Sequence, residues 1–157
     1  VERVLGFGCP LVEVTGGEPL LQPEVLPLMT RLADAGLTVL LETSGALDIA
    51  AVDRRVAVVL DLKTPGSGEA ARNLWSNLSH LKPADQVKLV ICSRADYEWA
   101  REALREYALA ARCQVLFSPA WELQPARELA EWILADRLPV RFQVQLHKYL
   151  WGDEAGH

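Results

Sequence analysis

The feature that most constrains the fold is a regular alternation between short apolar runs and longer segments with helical periodicity. Because a strand, a helix and another strand in succession favour parallel pairing with right-handed crossovers, the pattern predicts an α/β fold. Residues 1–157 show no linker or internal repeat, so we expect a single domain. The predicted strands are Leu11–Thr15, Thr38–Thr43, Val56–Lys63, Val87–Cys92, Val115–Phe117 and Arg141–Leu146.

The connections between these strands carry apolar residues three or four positions apart, which predicts helices. One begins at Pro23 and ends before Gly36, and the others are Glu69–Leu81, Asp96–Ala111 and Pro125–Arg137. The sheet could close toward a barrel or stay open as a doubly wound sheet. The sequence slightly favours an incomplete (β/α) barrel. The first five residues are typical of the end of a helix, so we expect the chain to be a fragment that lacks its first strand.

Composition excludes several classes of function. The chain has 16 Lys and Arg against 21 Asp and Glu, a formal net charge of -5 and no basic run, which argues against a nucleic-acid partner. The apolar stretches are too short to cross a bilayer, so no membrane partner is expected. Three widely spaced cysteines, at positions 9, 92 and 113, argue against a disulfide framework. With no secretory signal, the expected location is the cytoplasm.

Glycines and polar residues follow the predicted strands. Because parallel strands end at one edge of a sheet or barrel, we expect these residues to surround one small-molecule pocket. The segments are Thr15–Pro19, Glu42–Gly45, Asp61–Pro65, Cys92–Arg94, Phe117–Pro119 and Gln143–Lys148.

Each of the first candidate residues has two interpretations. Gly16 and Gly17 could let the backbone approach a ligand, or could only form a tight turn. Glu18 could bind a cationic group of a ligand, or could lie near a helix N-terminus. Ser44 could donate a hydrogen bond to a carboxylate, or could start a turn.

The later candidates are equally ambiguous. Asp61 and Lys63 alternate with Leu62, so their side chains point to the same side, either toward a ligand or as an exposed pair. His147 could be catalytic or structural. The sequence lacks a phosphate loop, a dinucleotide fingerprint, a nucleophile elbow and a zinc-binding helix. A pocket without its own reactive groups indicates that a cofactor supplies the chemistry.

Several of these segments together resemble one family, the 7-carboxy-7-deazaguanine synthases of the radical S-adenosylmethionine superfamily. The resemblance runs from about Leu11 to Trp151 and depends on Val14–Leu20 (VTGGEPL), Glu42–Gly45 (ETSG), Asp61–Lys63 (DLK), Val87–Ile91 and Gln145–Trp151 (QLHKYLW).

The resemblance implies a partial barrel and a homodimeric carbon–nitrogen lyase of queuosine and deazapurine biosynthesis. Such an enzyme converts 6-carboxy-5,6,7,8-tetrahydropterin into 7-carboxy-7-deazaguanine and ammonia. Its cofactors would be S-adenosylmethionine, a 4Fe–4S cluster reduced by a donor such as flavodoxin, and Mg²⁺. It further implies that Thr15 and His147 bind the pterin. The residues that it implies for S-adenosylmethionine are Gly16, Gly17, Glu18, Ser44, Asp61, Leu62, Lys63, Phe117, Ser118, Pro119 and Ala120.

The sequence departs from the family at its start. The family's cluster cysteines and its Mg²⁺-contacting threonine precede the GGEP motif, where this chain has Cys9 alone. Since a cluster needs several thiolates in one place, we expect the 157 residues to be inactive by themselves. The tail Asp153–His157 also extends past the QLHKYLW ending. Two alternatives stay open, namely a glycyl-radical activase of the same superfamily and a cluster-less binding or dimerisation relative.

Overall fold

In a computed structural model, which describes residues 1–152, six strands form one parallel sheet. The tail Asp153–His157 lies outside the described residues. The strands are β1 (Leu11–Val14), β2 (Thr38–Thr43), β3 (Ala57–Leu62), β4 (Gln86–Ile91), β5 (Gln114–Pro119) and β6 (Arg141–Phe142). The α-helices of the described part are α1 (Glu2–Leu5), α2 (Val25–Asp34), α3 (Arg94–Glu106), α4 (Leu109–Arg112), α5 (Ala126–Asp136) and α6 (Leu146–Trp151).

The order of the strands in the sheet is the order in the chain. Each right-handed crossover therefore moves the chain one position in the same direction, and the connections lie on one face. A doubly wound sheet would instead reverse direction and carry helices on both faces. The sheet does not close, because β1 and β6 remain its two edges. The incomplete barrel is confirmed, and the doubly wound alternative is wrong.

Alternation along the strands separates a helix-covered outer face from a polar inner face. In β3, for example, Leu60 and Leu62 are fully buried, whereas Asp61 points to the other side and is only partly buried. Outward-facing residues of β3, β4 and β5 pack with α3 and α5 in the larger core cluster. A smaller cluster joins β2 to α2 through residues such as Leu41 and Met29. The inner face is left for the candidate site.

Strand bounds follow the predictions closely except at the second edge. The strand Thr38–Thr43 has the bounds that were predicted. The observed bounds of β1, β3 and β4 differ from the predicted ones by one residue at one end or at both. The prediction Val115–Phe117 was too short, because hydrogen-bonded pairing with β4 continues β5 to Pro119. The prediction Arg141–Leu146 was wrong beyond Phe142, since only two residues pair with β5 and Leu146 already begins α6.

The predicted helix Glu69–Leu81 is wrong. Two short 3-10 turns replace it, at Ala70–Arg72 and Trp75–Ser79, and a third precedes it at Pro65–Ser67. The cause is a pair of buried asparagines whose amides bond backbone groups of other segments, which competes with helical pairing. Asn73 bonds both backbone groups of Lys63, at 2.9 Å each. Asn77 donates to the carbonyl of Leu47 at 2.8 Å and accepts from the amide of Ile49 at 3.2 Å.

The predicted helix Asp96–Ala111 consists of two helices. The first, α3, starts earlier because the Ser93 hydroxyl caps it, accepting from the amide of Asp96 at 3.2 Å. It ends at Glu106, since Ala108 adopts a left-handed conformation with φ of 49°. The helix expected from Pro23 begins two residues later, at Val25. Helix α5 matches its prediction to within one residue at each end.

Candidate functional site

Two cavities lie on the inner face of the sheet. The first, here called the rim cavity, has a volume of about 220 Å³ and lies where β1, β2 and β3 end. The second, the inner cavity, has a volume of about 330 Å³ and continues along the strands to β6 and the start of α6. Glu42 lines both cavities and so forms their common wall. The carboxyl ends of β1, β2 and β3 thus meet in one place, whereas the segment Cys92–Arg94, which the sequence also predicted around the pocket, lines neither cavity.

The rim cavity begins with the glycine turn after β1. Gly16 and Gly17 have φ of 93° and 56°, the left-handed region that favours glycine. A Cβ atom built at either position would meet nothing within 4 Å. The turn therefore needs both glycines for its backbone conformation and also presents that backbone to open space. The tight turn is confirmed, and the open space beside it leaves room for a ligand.

Glu18 braces this turn against the end of β2. Its carboxylate accepts from the hydroxyl of Thr43 at 2.9 Å, the amide of Ser44 at 2.8 Å and the amide of Leu20 at 3.1 Å. The Ser44 hydroxyl donates to it as well. Burial raises the pKa of Glu18, but these hydrogen bonds lower it more, so the net pKa lies below the usual value. Glu18 and Ser44 therefore bind each other, and Glu18 also caps the 3-10 turn Pro19–Leu21.

A chain of polar contacts crosses the inner face. The Thr15 hydroxyl donates to one oxygen of Glu42 at 3.3 Å, and the Lys88 ammonium contacts the other oxygen. Lys88 also lies 4.0 Å from Oδ2 of Asp61. That same oxygen accepts from the ammonium of Lys63 at 2.7 Å. Five side chains from β1 to β4 and their ends thus form one network between the cavities.

Two carboxylates of this region are poised for an additional partner. Oδ1 of Asp61 is buried and has no hydrogen-bond partner within residues 1–152, although buried polar atoms usually have one. Glu13 lines the inner cavity. Burial and the charge of Glu42 raise the pKa of Glu13, while the charge of Lys88 lowers it in part. A buried carboxylate oxygen without a hydrogen-bond donor and a glutamate with a raised pKa are both typical of ligand-binding sites.

The remaining predicted residues fall in different places. Ser118 and His147 line the inner cavity. Pro119 and Ala120 line a third cavity of about 390 Å³ beside Trp121 and Tyr149. Leu62 and Phe117 are completely buried in the outer-face core, so any contact that they make with a ligand comes from their backbone.

Two residues beside the network, or in it, were not predicted at the site: Glu13 and Lys88. Glu42 was predicted only as part of the segment Glu42–Gly45 around the pocket, with no role of its own. A signal for them existed, because each is a charged residue at an alternate position of an otherwise apolar strand. Such a residue has to face a cavity or a partner, since an unpaired charge in a core is costly.

Metal ligation does not fit the described residues. Within residues 1–152, no group of three or more His, Cys, Asp or Glu side chains is placed to hold a metal ion. Cys9 is exposed, Cys92 is partly buried and Cys113 is buried, each on a different segment. The described residues therefore do not offer a ligand set for a 4Fe–4S cluster or for Mg²⁺.

Comparison with known proteins decides the family. No family model matches the chain. The 7-carboxy-7-deazaguanine synthase of Chlorobaculum tepidum is 44% identical over 158 residues, which covers 99% of this chain and 72% of that relative. The chain belongs to the 7-carboxy-7-deazaguanine synthase family.

Other similarities agree with this 7-carboxy-7-deazaguanine synthase assignment. The synthase of Koribacter versatilis is also 44% identical, covering 92% of this chain and 70% of that relative. The crystal structure of QueE from Escherichia coli superposes with a TM-score of 0.70 at 22% identity. It covers 91% of this chain, which spans 59% of that protein. At that identity, the superposition shows the shared fold alone.

Membership in the 7-carboxy-7-deazaguanine synthase family confirms the resemblance carried by GGEP, ETSG, DLK and the QLHKYLW ending. The chain therefore belongs to a family of radical S-adenosylmethionine lyases, and the glycyl-radical activase alternative is not favoured. None of the helices within residues 1–152 has the length and apolar character needed to span a membrane.

Proposed function

We propose that the full-length protein that contains this chain carries out the reaction of its family, converting 6-carboxy-5,6,7,8-tetrahydropterin into 7-carboxy-7-deazaguanine and ammonia. The observation that supports the proposal best is the polar network from Thr15 to Lys63, which joins two cavities on the inner face. The family needs space for a cofactor and for a substrate side by side. The 44% identity over 99% of the chain supports the same reaction.

We assign S-adenosylmethionine to the rim cavity. When bound and reduced by one electron from the family's 4Fe–4S cluster, it would release methionine and supply a carbon-centred radical for abstraction of a hydrogen atom. The exposed backbone of Gly16 and Gly17 lies against open space and suits the methionyl part. The buried, unpartnered Oδ1 of Asp61 suits a hydroxyl donor such as that of a ribose. Lys63 keeps the other oxygen of Asp61 occupied, at 2.7 Å, and so orients the carboxylate.

We assign the pterin to the inner cavity. Its amino-pyrimidine edge carries N–H donors that match the carboxylate of Glu42, and its own carboxylate matches an N–H donor such as the imidazole of His147. Thr15 lies at the boundary of the two cavities and contacts Glu42, so it can touch either ligand.

Loss of ammonia also requires proton movement. A carbon–nitrogen bond breaks, one carbon-bound hydrogen leaves as a proton, and the departing amine gains a proton. Burial raises the pKa of Glu13 above that of an ordinary glutamate, which favours uptake of a proton by this side chain. Glu13 lies on the wall of the inner cavity and is our candidate for that task.

Family membership supports the remaining parts of the proposal. These are a single domain, a homodimer, a 4Fe–4S cluster, Mg²⁺, a flavodoxin-type electron donor and a cytoplasmic location. The net charge of -5 argues against a nucleic-acid partner.

The test uses the full-length protein encoded by the gene that contains this sequence, reconstituted with iron and sulfide without oxygen. The carboxylated pterin, S-adenosylmethionine and a reductant are added. The products are separated by chromatography and identified by mass spectrometry. We expect 7-carboxy-7-deazaguanine and ammonia in equal amounts. Binding of both molecules without any product would overturn the catalytic proposal and support the cluster-less binding relative.

A pair of variants tests the cofactor assignment. Asp61→Asn keeps the size of the side chain and removes its charge, and we expect it to raise the KM for S-adenosylmethionine about tenfold. Asp53→Asn is the matched control, because Asp53 contacts Arg55 and lines neither cavity. Equal KM values for the two variants would refute the assignment of Asp61.

A further inference from the structure

Lys88 occupies the centre of the inner face. It lies on β4 directly beside Asp61 of β3, since these two residues are partners in the register of the parallel pair. Its side chain is only 18% exposed. The ammonium reaches past β3 to Glu42 of β2 and lies 4.0 Å from Oδ2 of Asp61. One cation thus contacts carboxylates on two different strands.

The surroundings make this cation costly unless it is paired. Leu40, Val59 and Leu116 line the same cavity and offer it no acceptor side chain, whereas Glu13 on the cavity wall adds a third carboxylate whose charge interacts with Lys88. The free-energy cost of removing a charge from water is offset only by close partners of opposite charge. Conversely, Glu42 and Asp61 would repel each other without a cation between them. Lys88 thus pairs directly with Glu42 and adds a second cation beside Asp61, whose Oδ2 Lys63 already contacts at 2.7 Å.

Comparison with Lys82 distinguishes this arrangement from an ordinary structural ion pair. The Lys82 side chain is 20% exposed and contacts Asp85, which is buried. Asp85 also accepts from the amides of Val58 and Lys82, at 2.8 Å each. Lys82 and Asp85 line neither the rim cavity nor the inner cavity. Their ion pair stabilises the fold without facing the site.

The partners of Lys88, by contrast, are walls of the site. Glu42 lines the inner and the rim cavity, and Asp61 lines the rim cavity. We propose that Lys88 is a positioning residue that orients Glu42 toward the substrate and Asp61 toward the cofactor. One side chain thus affects the affinity for both ligands. This inference rests on the proposed function, because it takes the pterin and S-adenosylmethionine as the two ligands.

The experiment measures the affinity of each ligand separately. Calorimetric titration with S-adenosylmethionine, and then with the carboxylated pterin, is done on the full-length protein and on its Lys88→Met, Lys88→Arg and Lys82→Met variants. We expect Lys88→Met to weaken both affinities about tenfold each, because Glu42 loses its ammonium partner and Asp61 keeps only Lys63. Lys88→Arg should restore both to within about threefold, since it keeps the positive charge.

The control separates positioning from loss of stability. Lys82→Met should unfold at a lower urea concentration and yet bind both ligands within about twofold of the unaltered protein. If Lys88→Met does not fold by circular dichroism, Lys88→Gln takes its place in the same titrations.

Two results overturn the inference, and they differ from a failure of the proposed function. Unchanged affinities in Lys88→Met, or a weaker affinity for only one of the two ligands, would show that Lys88 does not position both carboxylates. A protein that makes no 7-carboxy-7-deazaguanine before any substitution would instead contradict the proposed function. In that case the S-adenosylmethionine titration still decides whether Lys88 positions Asp61.

Discussion

The turn that follows β3 offers a sharp test of how the rim is supported. Gly66 donates its amide to Oδ1 of Asp96 at 2.8 Å. A Cβ atom added at Gly66 would lie 2.3 Å from Oδ2 and 3.0 Å from Cγ of the same carboxylate. Asp96 is 1% exposed and cannot swing into solvent without breaking its contacts. Gly66→Ala therefore forces the carboxylate to move.

The magnitude follows from the hydrogen bonds that Asp96 gives up. Besides Gly66, Asp96 accepts from the amide of Cys92 at 3.1 Å. Hydrogen bonds to a charged group contribute about 1.5–3 kcal/mol each, and the loop relaxes in part, so we expect Gly66→Ala to cost about 3 kcal/mol. For a chain of this length, that corresponds to a fall in Tm of about 6–12 °C.

The assay is urea unfolding and calorimetry of Gly66→Ala beside Gly68→Ala. Gly68 lies in the same loop, has φ of 73° and has nothing within 4 Å of an added Cβ. Its substitution therefore costs only the left-handed backbone penalty, about 1 kcal/mol. If Gly66→Ala proves no more destabilising than Gly68→Ala, the support of this turn by Asp96 is refuted.

Three further outcomes are expected. Ala108→Gly should stabilise the chain by about 0.5–1 kcal/mol in urea unfolding, since Ala108 has φ of 49°; a loss of stability would contradict this. Burial raises the pKa of the Cys113 thiol to about 11, so iodoacetamide at pH 8 should label exposed Cys9 and spare Cys113, and mass spectrometry of the labelled peptides checks this. The pKa of Glu18 is lower in the folded chain than in the unfolded one, so its stabilisation is present above the ordinary glutamate pKa and is lost as the pH falls through the folded value. The gap in urea midpoint between the unaltered chain and Glu18→Gln should therefore shrink in acid, and a constant gap would contradict the role of Glu18.

Much of the architecture could be predicted because its signals are local. Alternation within Thr38–Thr43 and helical spacing within α5 are properties of neighbouring residues, and both were predicted with nearly correct bounds. The prediction of a helix at Glu69–Leu81 was wrong for the opposite reason. Its conformation depends on where the amides of Asn73 and Asn77 find partners, and those partners lie in other segments.

The candidate site divides in the same way. Thr15, Asp61 and Lys63 were predicted because they follow strands whose ends must meet, and the structure brings them to one cavity. Lys88 and its contact with Glu42 were not predicted, because that contact exists only when β2 and β4 lie on either side of β3. No spacing along the chain reports a contact between positions that are 46 residues apart.

The sequence by itself determined the succession of strands and helices, the glycine turn at Gly16 and Gly17, and the motifs that mark the family. These depend on side-chain periodicity and backbone preference, which act over a few residues. The tertiary structure alone decided that the helices cover one face and that Lys88 joins Glu42 to Asp61. Strand order and register determine which charges meet across the inner face, because an ion pair depends on distance in space rather than on separation along the chain.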